Sequence, residues 1–258
     1  MANYDNRPPY GVAVGRGAVD VVDQGLRAHM LRVYNYMTVG LGLTGLVAFL
    51  TYSLSVSSTP TQYMVGTGLY LTSFGAALFG SPLMWVFVLL PLGLVFFLSF
   101  RIQHMSVGAA QATFWGYAAL LGVSLATIFL VYTSASITQV FFITAATFGA
   151  MSLWGYTTRR DLTGLGSFLF MGLIGVIIAS VVGFFWHSTA LQFAISIIGV
   201  IVFTGLTAYD TQKIKEMYYV ADDGTVAGRK AIMGALSLYL DFINLFLMLL
   251  RLFGQNRS

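Results

Sequence analysis

The chain contains no cysteine, and only 9% of its 258 residues are charged. The first absence excludes a disulfide framework and a thiolate metal site. The second excludes a water-soluble domain, in which about 25% of residues carry charge. There is no Asp, Glu, Lys or Arg between positions 33 and 100, 102 and 158, or 162 and 209. Such stretches cannot supply the charged surface that a soluble fold needs. A phosphate-binding loop of the Gly-x-x-x-x-Gly-Lys type is also missing, which excludes an ATP-driven pump. The three histidines, His29, His104 and His187, stand near span ends. None is spaced with another ligand as a metal site requires, so interfacial hydrogen bonding is expected of them.

What is present is apolar: 57% of the residues are hydrophobic. At about 20 residues per helical span, the apolar runs predict seven spans, near 33–54, 83–100, 109–132, 137–157, 165–186, 191–210 and 231–253. Strands of a membrane barrel would be alternating segments of about 10 residues, and these runs are continuous and far longer. The expected fold class is all-α, a polytopic membrane helical bundle. Residues 1–28 form a polar tail with Pro8 and Pro9, expected to be partly disordered. The membrane domain then covers 29–258. The tail lacks the short apolar core of a cleavable signal peptide, so the first span is expected to stay in the mature protein.

The net charge of +4 would suit nucleic acid, but the basic residues cluster between the spans, where their role is orientation. Arg7, Arg16, Arg27 and Arg32 are in the tail, Arg101 in the second loop and Arg159 and Arg160 in the fourth. Lys213, Lys215, Arg229 and Lys230 are in the sixth. Loops one, three and five have none. The excess of Lys and Arg on the inner side predicts a cytoplasmic N-terminus in a bacterial cytoplasmic (inner) membrane. Seven full spans would leave the C-terminus outside, against which Arg251 and Arg257 argue mildly, so the last segment is either re-entrant or surrounded by protein and its topology stays open.

Loop 55–82 is long, uncharged and rich in Ser, Thr and Gly, and its 64–79 stretch is expected along the outer interface or dipping into the bundle. Gly40, Gly42 and Gly45 match the dinucleotide fingerprint letter by letter, but inside a span with no preceding strand. Close helix packing is the better reading for them and for Gly172 and Gly175. Trp85, Trp115, Trp154 and Trp186 read as interface anchors.

Two carboxylates stand out. Of nine acidic residues, seven lie in stretches that read as water-exposed, whereas Asp210 and Asp241 lie at the edge of or within apolar spans. A charged side chain at a bilayer centre costs about 2.5–3.5 kcal/mol on insertion scales, so it is normally paired and functional. At 100° per residue, Ser237, Asp241, Asn244 and Arg251 fall within about 80° on the seventh helix, and Thr207 and Asp210 share a face of the sixth. Asp210 is then near the cytoplasmic end and Asp241 about 15 Å deep. Arg101 would reach Asp210 at similar height, or else snorkel to the interface. If the carboxylates approach, repulsion between them makes a shared proton near neutral pH the expected state. Its loss would admit a cation, attract Arg101 or part the helices. Oxygen ligands suit calcium, although two carboxylates make only a weak site.

The stretches Ala208-Tyr-Asp210-Thr-Gln-Lys-Ile214 and Ala235-Leu-Ser-Leu-Tyr-Leu-Asp241-Phe-Ile-Asn244-Leu-Phe resemble the signature of the Bax inhibitor-1 (transmembrane Bax inhibitor motif) family. The resemblance is strong over 195–253 and extends by span pattern to the second helix onward. It implies seven helices with the seventh central, and a pH-sensitive calcium leak with Asp210 and Asp241 as its sensor. It further implies that Arg101 latches Asp210 in the closed state, with Thr207, Ser237 and Asn244 as supporting polar groups.

The resulting expectation is no enzyme and no cofactor. The protein would be a passive calcium leak gated by an aspartate pair, its partners being the lipid bilayer and calcium ions, and no nucleic acid. One alternative is an interaction protein, since some bacterial relatives are implicated in restraining a membrane-anchored, ATP-dependent protease. The other is an intramembrane aspartyl protease. Those enzymes carry Gly-x-Gly before the second aspartate, where this chain has Leu238-Tyr239-Leu240.

Overall fold

The computed structural model describes residues 16–65, 69–186 and 188–257, with side chains from residue 24 onward except that of Val65. The chain forms α1 (Arg16–Ser55), strands β1 (Val56–Ser57), β2 (Met64–Val65) and β3 (Leu69–Leu71), then α2 (Ser73–Phe79) and α3 (Leu83–Arg101). A 3-10 turn at Ile102–His104 leads to α4 (Val107–Leu125), α5 (Thr127–Val131), α6 (Ser134–Thr157), α7 (Thr163–Phe185), α8 (Thr189–Glu216) and α9 (Gly224–Phe253). Side-chain oxygens of Thr72, Ser106, Thr133, Ser188 and Asp223 cap α2, α4, α6, α8 and α9 by accepting from first-turn N–H groups.

All seven expected spans are present as helices long and apolar enough to cross a membrane. Their ends differ from those read in the sequence. The first helix starts at Arg16, so 16–28 of the expected tail are helical and continuous with the span, while 1–15 and His187 lie outside the described residues. The sixth span does not stop at Asp210 but runs six residues further, to Glu216. α4 and α5 make one span, interrupted at Ala126.

The seventh span is central. Of its apolar window 72% is buried, against 11–33% for the other six. It packs directly on α1, α4, α6 and α8, whereas α3 and α7 make their main contacts with α4 and α8 and form an outer layer. α3 and α7 expose large apolar side chains such as Phe97, Phe168 and Ile178. Lipid hydrocarbon solvates these side chains as well as protein does, so nothing draws them inward. Tyr239 fills the centre: its ring meets Phe114 and Tyr117 edge-on, and its hydroxyl lies 2.7 Å from Thr44 Oγ1. A Cβ on Gly40 would come within 2.9 Å of Phe114, so the packing reading holds there, while Gly42, Gly45 and Gly175 face open space.

The last segment is one unbroken helix surrounded by protein, long enough for a full crossing. α9 is a continuous thirty-residue helix, about 45 Å long. Beyond it, Gln255 N–H donates to Ser136 Oγ (2.9 Å) and Arg257 N–H to the Val131 carbonyl (2.8 Å). The chain therefore ends at the face opposite to that where α9 begins. Arg257 is held there by the Tyr52 hydroxyl at 2.5 Å. Loop 55–82 folds on the same face. Its strands pair antiparallel in the order β1-β3-β2, and Thr72 covers the end of α1, its N–H donating to Ser55 O (2.9 Å) and its Oγ1 to Leu54 O (2.8 Å). Those carbonyls have no partner within α1.

Pro91 interrupts α3. Having no N–H, it leaves the carbonyl of Phe87, one turn earlier, without a helical donor. Ser124 Oγ of α4 donates to that carbonyl, so the proline of one helix and the serine of the next act together. Ser124→Ala is expected to lower stability by about 1–3 kcal/mol, the cost of an orphaned buried acceptor. In a chain that also carries Pro91→Ala the loss should largely vanish, because a helical N–H returns. Melting temperatures of the four proteins in detergent check this, and equal losses in both backgrounds would refute the link.

Candidate functional site

The site forms where α8 and α9 lie side by side. Two close approaches set its walls. Gly155 of α6 lies directly against the backbone of Ala208, where a Cβ has no room, so α6 reaches α8 two residues before Asp210. Ile214 of α8 packs on Gly234 of α9, about one turn beyond Asp210 and about two turns before Asp241. In this register the side chains of Asp210 and Asp241 come within hydrogen-bonding reach of each other. Asp241 is 4% exposed and Asp210 half-buried. The uneven depth expected from the sequence is corrected here. It arose from ending the sixth helix at Asp210 and starting the seventh at 231, whereas α9 begins at Gly224 and α8 continues to Glu216.

The pair is poorly compensated. Asp241 Oδ2 is buried with no hydrogen-bond partner. The cation whose field reaches Asp210 is Lys213, the next turn of its own helix. Arg101 is exposed at the end of α3, and among the described residues it makes neither an ion pair nor a hydrogen bond with Asp210. The structure thus does not bring the expected latch to the site. An arginine in the last turn of a helix can reach water, and nothing in its sequence position compels it inward.

The expected supporting groups are near in sequence but turn to their own helices. Thr207 Oγ1 donates to Phe203 O (2.8 Å) and Asn244 Nδ2 to Leu240 O (2.8 Å). Ser237 is half-buried, and Arg251 lies exposed at the far end of α9. A stripe on a helical projection shares a direction but not a height, so its members need not meet.

The sequence reading missed a polar chain on the other side of α8. Thr211 Oγ1 lies 2.9 Å from Ser152 Oγ of α6, which lies 2.6 Å from the Tyr34 hydroxyl of α1. Thr211 also donates to Thr207 O at 2.7 Å. No motif announces these residues. The one available signal is that Thr211 adjoins Asp210, turned about 100° away. The same end of the bundle is fastened by Gln212, which accepts from Leu162 N–H (2.8 Å) and donates to Arg160 O (2.9 Å). Lys215 donates to Tyr156 O (2.9 Å), and Lys230 pairs with Asp222 at 2.5 Å. His29 is buried there with its ring 5.8 Å from that of Tyr218, and its Nε2 has no partner, unlike the interfacial bonding expected.

Chemically, two carboxylates in contact can hydrogen bond only by sharing a proton, and they become a divalent anion when it leaves. They supply fewer oxygens than the six to eight that calcium takes. Among the described residues no group of three or more His, Cys, Asp or Glu is placed to hold a metal ion.

Comparison with known proteins matches this arrangement to one family. The profile described as "Inhibitor of apoptosis-promoting Bax1" covers residues 26–258. An uncharacterized protein of Rickettsia prowazekii (strain Madrid E) is 48% identical over 236 residues, 92% of this chain and 93% of that one. YbhL, an inner membrane protein of Escherichia coli (strain K12), is 47% identical over 235 residues, 90% of this chain and 94% of its own length. An uncharacterized membrane protein of Streptococcus pyogenes serotype M3 is 37% identical over 234 residues, 91% and 95% of the two chains. With seven apolar helices and a family profile covering nearly its whole length, this chain belongs to the Bax inhibitor-1 family.

Proposed function

We propose that the protein is a pH-sensitive passive cation leak of a bacterial cytoplasmic membrane, with calcium the favoured ion and Asp210 and Asp241 as its gate. The observation that carries this reading is the contact of two carboxylates at the interface of α8 with the central helix, one oxygen of Asp241 being buried and unpartnered. A purely structural carboxylate would meet a donor from the chain, whereas the hydrogen-bonding group set against Asp241 is itself a carboxylate. A tight metal site would have more ligands. A pair joined by one shared proton suits an element that opens and closes.

With its proton the pair joins α8 to α9. Without it, two unit charges about 4 Å apart repel by about 4 kcal/mol at an effective dielectric of about 20. That is most of the roughly 5.5 kcal/mol needed to carry a two-state element from 1:99 to 99:1. Parting of the helices exposes both carboxylates to a passing cation, which they hold weakly and release. The inward-facing end is taken to be the one that gathers Arg27, Arg101, Arg159, Arg160 and the basic residues of 213–230.

Two measurements test the gate. In proteoliposomes, Asp241→Asn is expected to remove most of the calcium flux or its pH dependence. Wild-type flux from this variant across roughly pH 6 to 8 would sink the sensor role. In detergent, the wild-type melting temperature should fall as pH rises, because the shared proton is a bond at low pH and its loss leaves repulsion. The Asp241→Asn amide needs no shared proton to donate to Asp210, so the variant should show a flatter profile. At about 2–4 °C per kcal/mol for a chain of this size, the difference should be several degrees. Superimposable pH profiles would count against the shared proton.

A further inference from the structure

We propose that a groove between α1 and α6 binds an anionic phospholipid, with one acyl chain lying in the groove and the phosphate held at Arg27. The groove has a volume of about 450 Å³ and is lined by Arg27, Tyr34, Phe148, Gly149, Ser152 and Tyr156, among others. It opens sideways between two membrane-spanning helices, where Leu31 and Leu153, which also line it, are exposed. Its volume lies within the range of about 300–1,000 Å³ typical of ligand sites.

Gly149 makes the space. A Cβ built there meets no atom within 4 Å, so the missing side chain leaves room that no neighbour fills. Tyr34 and Ser152 close the floor by bonding each other at 2.6 Å, which leaves the walls apolar. Water has little reason to enter such a space, and a hydrocarbon chain does.

The charge at the rim selects the lipid. Arg27 is exposed, and among the described residues no carboxylate lines the groove. Tyr156 carries a second cation, Lys215, on its carbonyl (2.9 Å) and 5.4 Å from its ring centre. Cations at the end of a span sit at headgroup depth, where each attracts anionic lipid. The size argues against a protein occupant. From Arg27 to Tyr34 the groove runs about 10 Å, and a helix about 10–12 Å across would need nearly twice its volume over that length.

The experiment uses the full chain in nanodiscs of mixed phosphatidylglycerol and phosphatidylcholine, with native mass spectrometry of the lipid retained on release. The wild type should retain phosphatidylglycerol over phosphatidylcholine by roughly five-fold, the attraction of one cation for an anionic surface. Gly149→Phe, which fills the groove, should lose most of the retained lipid. Arg27→Gln should keep a lipid and lose the preference. Both changes fall where they disturb little packing, and an unchanged melting temperature verifies that. Equal retention of the two lipids by the wild type would overturn the proposal. So would undiminished phosphatidylglycerol on Gly149→Phe, an undiminished preference on Arg27→Gln, or a tight dimer free of lipid, which would put a second copy of the chain in the groove.

Discussion

A carboxylate can stand in the middle of a hydrocarbon layer only if protein surrounds it, and the enclosure of α9 is the constraint on which the bundle depends. Asp241 lies 17 residues into a thirty-residue helix, so it cannot escape to either surface by extending its side chain. The helix is therefore wrapped by α1, α4, α6 and α8. Once those positions are taken, α3 and α7 are left outside. They can be there because lipid suits their side chains as well as protein would.

Within the bundle, side chains complete what the backbone leaves open. Ser124 supplies the donor that Pro91 withholds from Phe87, Thr72 covers the last carbonyls of α1, and Thr44 meets the hydroxyl of Tyr239. Hydrocarbon offers no water to do this work, so backbone groups there are met by other parts of the chain. Among the described residues five buried side-chain atoms lack a partner, and Asp241 Oδ2 is the one of them set against a second carboxylate. It marks a place where the structure retains an unsatisfied group that most of its helix interfaces avoid, next to a second carboxylate that can share or repel.

Much of this was legible in one dimension. The spans follow from the length of uncharged runs, since only helices satisfy their own backbone in lipid. The importance of Asp210 and Asp241 follows from the cost of charge there. Roles that depend on meeting a partner were not legible. Arg101 shares an end of the bundle with Asp210 and does not reach it, while Thr207 and Asn244 satisfy themselves on their own helices. Tyr34, Ser152 and Thr211 come from three separate helices and meet through ordinary residues in no motif.

By itself the sequence determined that this is a seven-span helical membrane protein with two costly carboxylates near its C-terminal end, because hydropathy and charge act residue by residue. Only the tertiary structure decided that the two carboxylates lie within hydrogen-bonding reach, that α9 runs unbroken through the bundle, and that a groove remains between α1 and α6. Those outcomes depend on helix register and on the absence of a side chain at Gly155 and Gly149. In a close-packed bundle, such details fix distances that spacing along a chain does not.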